Sequence, residues 1–61
     1  MYKYRERRIK KEEYEAINAG TMNMIDLFDD SQIMGYGASP QKVFEREGEY
    51  FVGYYMSDSC D

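Results

Sequence analysis

Apolar and polar positions alternate most clearly in the last third of this 61-residue chain. Residues 41–56 read QKVFEREGEYFVGYYM, two aromatic-rich runs flanking Glu47-Gly48. Strand formers on both sides of a short Glu-Gly centre predict a β-hairpin. Two registers compete. A two-residue loop on Glu47-Gly48 sets Arg46 opposite Glu49 but forces Glu47 to positive φ. A three-residue loop, Arg46-Glu47-Gly48, asks positive φ of Gly48 alone. It also sets Glu45 opposite Glu49, an exposed like-charge pair that costs a few tenths of a kcal/mol. A left-handed Glu costs about 1 kcal/mol. The comparison favours the three-residue loop, with Phe44 opposite Tyr50 and Val43 opposite Phe51. One hairpin face then carries Phe44, Tyr50, Val52, Tyr54 and Met56. The other carries Val43, Phe51 and Tyr55. A single short helix cannot cover both. Either two helical segments sandwich the sheet, or another chain covers one face.

The start of the chain alternates as well. Tyr2 and Tyr4 fall on one face of a predicted strand over residues 2–9, and Lys3, Arg5 and Arg7 on the other, as a basic outer row that blunts an exposed edge. Lys10 to Ala19 reads as a short helix with Tyr14 and Ile17 as its apolar stripe. Glu12, Glu13 and Glu15 suit the positive end of its dipole, and Gly20 suits the left-handed position past its end. No clear N-cap precedes it. Residues 21–30 fit a helical turn or two, with Thr21 as a cap, and Asp29-Asp30-Ser31 as the closing turn. Gln32 to Tyr36 reads as a short strand. Gly35-Tyr36-Gly37 then suggests a bend or bulge that aims Tyr36 outward. The glycine pair is not followed by the Lys-Ser/Thr of a nucleotide-binding loop.

These elements predict one α+β domain over residues 1–61, with 57–61 as a flexible tail. The expected order is an N-terminal strand, one or two short helices, then a three-stranded antiparallel β-meander ending in the hairpin. No internal repeat or low-complexity linker interrupts it.

Size and composition narrow the chemistry. A chain this short buries only about 60% of its unfolded surface, so it needs a staple. Cys60 is the only cysteine and there is no histidine, which removes an intrachain disulfide and the usual zinc sites. Oligomerisation is the staple left, with a homodimer as first choice. The seven Tyr and five Met favour half-buried and interface positions. Net charge is −4, divided as +2 over residues 1–15 and −6 over residues 16–61. The acidic body argues against general nucleic-acid binding. The absence of an apolar segment after Met1 and the single cysteine are read as marks of a cytoplasmic protein with no membrane contact.

Candidate sites follow from the same counts. Without histidine the common general base and the Ser-His and Cys-His systems are gone, so no catalytic residue, metal or cofactor is assigned. Cys60 lies between carboxylates that raise a thiol's pKa, and reads as an unreactive tail thiol; an intermolecular disulfide on oxidation is the role left to it. Asp26, Asp29 and Asp30 lack the alternating ligand order of a calcium loop and read as a solvated helix end. The aromatic residues assigned to a partner or oligomer interface are Tyr36, Phe44, Tyr50, Phe51, Tyr54 and Tyr55. Glu45, Glu47 and Glu49 form an acidic hairpin tip, either a soluble turn or a mimic of nucleic-acid phosphates. Arg5, Arg7 and Arg8 form a basic strand that, with Tyr2 and Tyr4, could hold unpaired bases.

The expected function is that of a small non-enzymatic interaction protein that binds and inhibits or modulates a macromolecular partner. A protein partner comes first and a single-stranded nucleic acid second. In overall character the chain is similar to the short, acidic, histidine-poor accessory proteins of bacteriophages and other mobile elements. That resemblance implies action against host defence, as in anti-CRISPR and related inhibitors, and carries no residues across.

Overall fold

The computed structural model describes residues 2–57. Strand β1 spans Tyr2–Ile9 and helix α1 spans Lys11–Ala19. A 3-10 turn at Met24–Leu27 and a π-helical turn at Ser31–Gly35 follow. Strands β2, Ser39–Arg46, and β3, Glu49–Ser57, form the hairpin. The α+β class and the C-terminal hairpin are as expected.

The three-stranded sheet has the order β1-β3-β2, with both outer strands antiparallel to β3. The outer strands therefore run parallel to each other, one strand apart. Parallel strands cannot be joined by a tight turn and need a crossover of roughly a dozen residues or more. Residues 10–38 provide it, and every helical turn lies within them.

Residues 32–36, expected as a strand, are coiled instead. Asp29 is the reason. Its carboxylate accepts the Gln32 N–H at 2.9 Å and the Ser31 hydroxyl at 2.8 Å, and the Gln32 side chain accepts the Asp29 N–H at 3.0 Å. This reciprocal cap opens a helical turn. The acids at 29 and 30 thus sit at a helical start rather than a helical end. The turn closes with Tyr36 N–H donating to the Ser31 carbonyl at 3.2 Å. The sheet's third strand is β1 in place of 32–36.

Helix α1 is bounded by local chemistry. The Glu13 carboxylate accepts the Lys10 N–H at 2.8 Å, which supplies half of a capping box. Gly20, at φ 83°, ends it in a Schellman motif. Thr21 N–H reaches the Ala16 carbonyl at 2.9 Å and Gly20 N–H the Ile17 carbonyl at 3.2 Å. Thr21 therefore closes α1, and Asn23 stands before the next turn.

The hairpin takes the register that the sequence comparison ranked second. Arg46 pairs with Glu49, Phe44 with Phe51 and Val43 with Val52. Glu47 adopts φ 54° and Gly48 φ 81°, the two positive values of a type I′ turn. Two gains offset the strained Glu. The like-charge pair of Glu45 with Glu49 disappears, and the Phe44 and Phe51 rings stack with centroids 5.6 Å apart. The turn's twist also matches the twist of the strands.

A register shift of one residue moves side chains to the opposite face. Val43 joins Tyr50, Val52, Tyr54 and Met56 beneath the helical layer, and Phe44 joins Phe51 and Tyr55 on the far side. The core is Ile9, Leu27, Phe28, Ala38, Val52 and Tyr54, edged by Tyr14, Ile17, Met22, Ile33, Val43, Tyr50 and Met56. Among the described residues only the Val52 side chain is completely buried. Ser57, expected to begin the tail, is the last residue of β3 and donates its N–H to the Tyr36 carbonyl at 2.9 Å. The tail expectation for 58–61, and with it Cys60, lies outside the described residues. Among the described residues no helix is long and apolar enough to cross a membrane.

Candidate interaction surface

All the helical elements pack on one face of the sheet. Among the described residues nothing covers the other. That open face presents Tyr2, Tyr4, Glu6 and Arg8 from β1, and Glu49, Phe51, Gly53 and Tyr55 from β3. β2 adds Lys42, Phe44 and Arg46. Tyr2 is 62% exposed, Tyr4 42% and Tyr55 43%. Large aromatic side chains on a bare sheet face mark a contact surface more often than a solvated one.

The face has two halves. At the hairpin end its own cations lie over its phenylalanines. The Arg46 guanidinium carbon is 5.1 Å from the Phe44 ring centre and 5.5 Å from that of Phe51. Lys42 Nζ is 5.4 Å from the Phe44 ring. Arg46 continues across the sheet to Glu6 Oε1 at 3.1 Å, and Arg8 meets Glu49 Oε1 at 3.3 Å. These ion pairs are partly exposed, so they orient side chains more than they stabilise the fold.

At the other end no cation among the described residues lies over the tyrosine rings. Tyr4 and Tyr55 meet edge to face at 5.4 Å, and the Tyr4 hydroxyl donates to Glu6 Oε2 at 3.3 Å. Partial desolvation, then the Glu6 charge, holds the Tyr4 phenol above its ordinary value. Tyr2, Gly37, Ser39 and Tyr55 line an open cleft of about 360 Å³. Gly37 stands at φ 67°, and a β-carbon there would lie 2.7 Å from the Tyr2 Oη.

The residues expected at an interface divide. Phe44, Phe51 and Tyr55 lie on the open face. Tyr54 is a core residue, meeting Phe28 at 4.9 Å, and Tyr50 packs beneath the helical layer against Tyr14 at 4.7 Å. Tyr36 is half-buried and acts through its backbone. Tyr2 and Tyr4 belong to the surface instead. The expected wet and dry sides of β1 are exchanged. Ile9 shares the parity of Lys3, Arg5 and Arg7, and this aliphatic end of the row marks it as the core-facing one.

The charged candidates divide in the same way. Arg7 lies under the helical layer, its guanidinium 4.8 Å from the Phe28 ring centre and donating to the Leu27 carbonyl. Arg5 shares that face. Arg8 alone of the three reaches the open face. The acidic tip is mixed in charge, because Arg46 stands opposite Glu49 and Arg8 pairs with it. Glu45 and Glu47 are exposed. Asp29 is held below the ordinary carboxylate range by the Gln32 N–H, then by the Ser31 hydroxyl. Among the described residues no group of three Cys, Asp or Glu is arranged to hold a metal. Comparison with protein-family models, with curated proteins and with solved structures gives no match to this chain, and the geometry of the open sheet face is what a functional reading must rest on.

Proposed function

We propose that this chain is a non-enzymatic interaction protein that binds a macromolecular partner through the open face of its sheet and thereby inhibits or modulates it. One observation carries the reading: Tyr2, Tyr4, Phe44, Phe51 and Tyr55 share a face that no described element covers. A protein partner suits it best. Aromatic side chains and arginine dominate the energetics of protein interfaces, and both are concentrated here. The proposal includes a cytoplasmic setting, supported by the single cysteine, and action on a host defence protein, supported by the chain's character alone.

The test is affinity capture from cells that carry the chain, then titration of the recovered protein. Wild type is compared with Phe51→Ala and Tyr55→Ala, each with an unchanged circular dichroism spectrum. The reading expects at least a tenfold loss of affinity. A folded variant that binds as tightly as wild type ends it.

Single-stranded nucleic acid is the second reading, favoured by the exposed rings of Tyr2, Tyr4 and Tyr55 as stacking surfaces. Its electrostatics are weak. Arg8 and Arg46 each already meet a carboxylate on this face, and Arg7 is committed to the core side. Titration with a short single strand at low salt decides it, and no binding removes it.

A further inference from the structure

We propose that the free protein forms a two-fold homodimer, closed face to face across this sheet surface. The inference stands apart from the partner reading, since a second copy can cover the face whether or not another partner exists.

The first ground is area. The molecule measures 31 × 24 × 14 Å. The thin axis, 14 Å, holds the one sheet and its one helical layer. The broad profile of the molecule, 31 × 24 Å, is the largest footprint it can offer, and it lies below the ~800 Å² per partner of a standard interface. A stable contact must therefore use the whole face, and a second copy has the matching outline.

The second ground is need. The core is one-sided, with a single fully buried side chain, Val52, among the described residues. Small domains of this kind gain a second core layer by pairing. Two sheets stacked at an aligned angle would bury the aromatic rings between them.

The third ground is self-complementarity in the register. Gly53 is the middle residue of β3, opposite Glu6 on β1. Phe51 and Tyr55 lie two residues to either side of Gly53, and Arg8 and Tyr4 two residues to either side of Glu6. Consider a two-fold axis in the interface plane, perpendicular to the strands and passing over Gly53. It sets Tyr55 of each copy against Phe51 of the other, where the Arg46 guanidinium lies. It sets Tyr4 of each copy against Arg8 of the other. Bare electron-rich rings at one end thus meet cationic planes at the other, twice, as an isologous interface requires. The two Glu6 carboxylates approach at the axis, each already neutralised by its own Arg46, and so do the two Lys42 side chains, each lying over its own Phe44 ring.

Light scattering coupled to size exclusion across a dilution series tests the inference. The expected mass at high concentration is twice the 7.3 kDa of one chain. Tyr55→Asp should weaken the dimer at least a hundredfold, and Arg46→Ala at least tenfold, with both circular dichroism spectra preserved. Met34→Ala, on an exposed side chain of the helical layer, should leave the mass curve unchanged. A wild-type mass of one chain at every concentration overturns the homodimer and leaves the foreign-partner reading to its own titration. A dimer that Tyr55→Asp does not disturb overturns the face-to-face arrangement.

Discussion

The phenol of Tyr4 on β1 lies over Gly53 of β3, so near that a β-carbon at position 53 would sit 2.2 Å from the Tyr4 Oη. Glycine in the middle of a central strand weakens it by its own propensity. Here its missing side chain is the space that lets Tyr4 lie flat toward Tyr55.

Gly53→Ala is therefore expected to lose stability despite the better strand propensity of alanine. The Tyr4 ring must swing away, giving up its contacts with Tyr55 and Glu6, a loss of about 1 kcal/mol. In a Tyr4→Ala background the same substitution should be neutral or stabilising. A double-mutant cycle by denaturant unfolding measures the coupling. Additive effects would show that the two residues are independent.

Arg7→Ala should destabilise the fold by about 1–2 kcal/mol, because the Leu27 carbonyl loses its donor and the Phe28 ring its cation. Affinity for single-stranded nucleic acid should not change beyond what the lost fold explains. Chemical denaturation gives the first quantity and a low-salt titration the second. A stable Arg7→Ala protein with lost nucleic-acid affinity would reverse the assignment of Arg7 to the core side.

Glu47→Asn should raise stability by about 0.5–1 kcal/mol. Asparagine tolerates the left-handed conformation that Glu47 adopts at φ 54°, and Asn-Gly is a favoured type I′ pair. An unchanged denaturation midpoint would mean that the turn is already relaxed.

Stability should also depend on Asp29 in the acid range. Its folded carboxyl is held below the ordinary value of 3.8. The folded state therefore binds its proton less readily than the unfolded chain. The stabilisation is present above that ordinary value and is lost as the pH falls through the lowered one. Thermal melts from neutral to acid pH should show a shallower acid decline for Asp29→Ala than for wild type. Parallel curves would remove the cap from the acid response.

Local rules made much of this fold readable. The hairpin centre, the end of α1 at Gly20 and the alternation of β1 each depend on a few neighbouring residues. What escaped depends on side-chain contacts that alternation does not encode. The turn register was decided by the Phe44–Phe51 stack and the Arg46 reach to β1, which no adjacent residue announces. The pair Ile33-Met34 suits a strand or a coil equally, and the Asp29–Gln32 cap chose the coil. For the candidate surface, alternation showed which β1 residues travel together but left open which set faces the core. Ile9 held that answer, at the far end of a row that otherwise reads as basic. Tyr2 and Tyr4 were then misplaced by a single choice of face.

The order of strands also governs how the chain can acquire its shape. The middle of the sheet is the last of the three strands along the chain, so Ile9 waits for Tyr50 and Tyr2 for Ser57. Until β3 exists, β1 and β2 have no neighbour to zip against, and α1 and the turns after it have no floor. Losing β3 would not shorten the sheet but abolish it. Pairing across such sequence distance is slow compared with coiling a local helix.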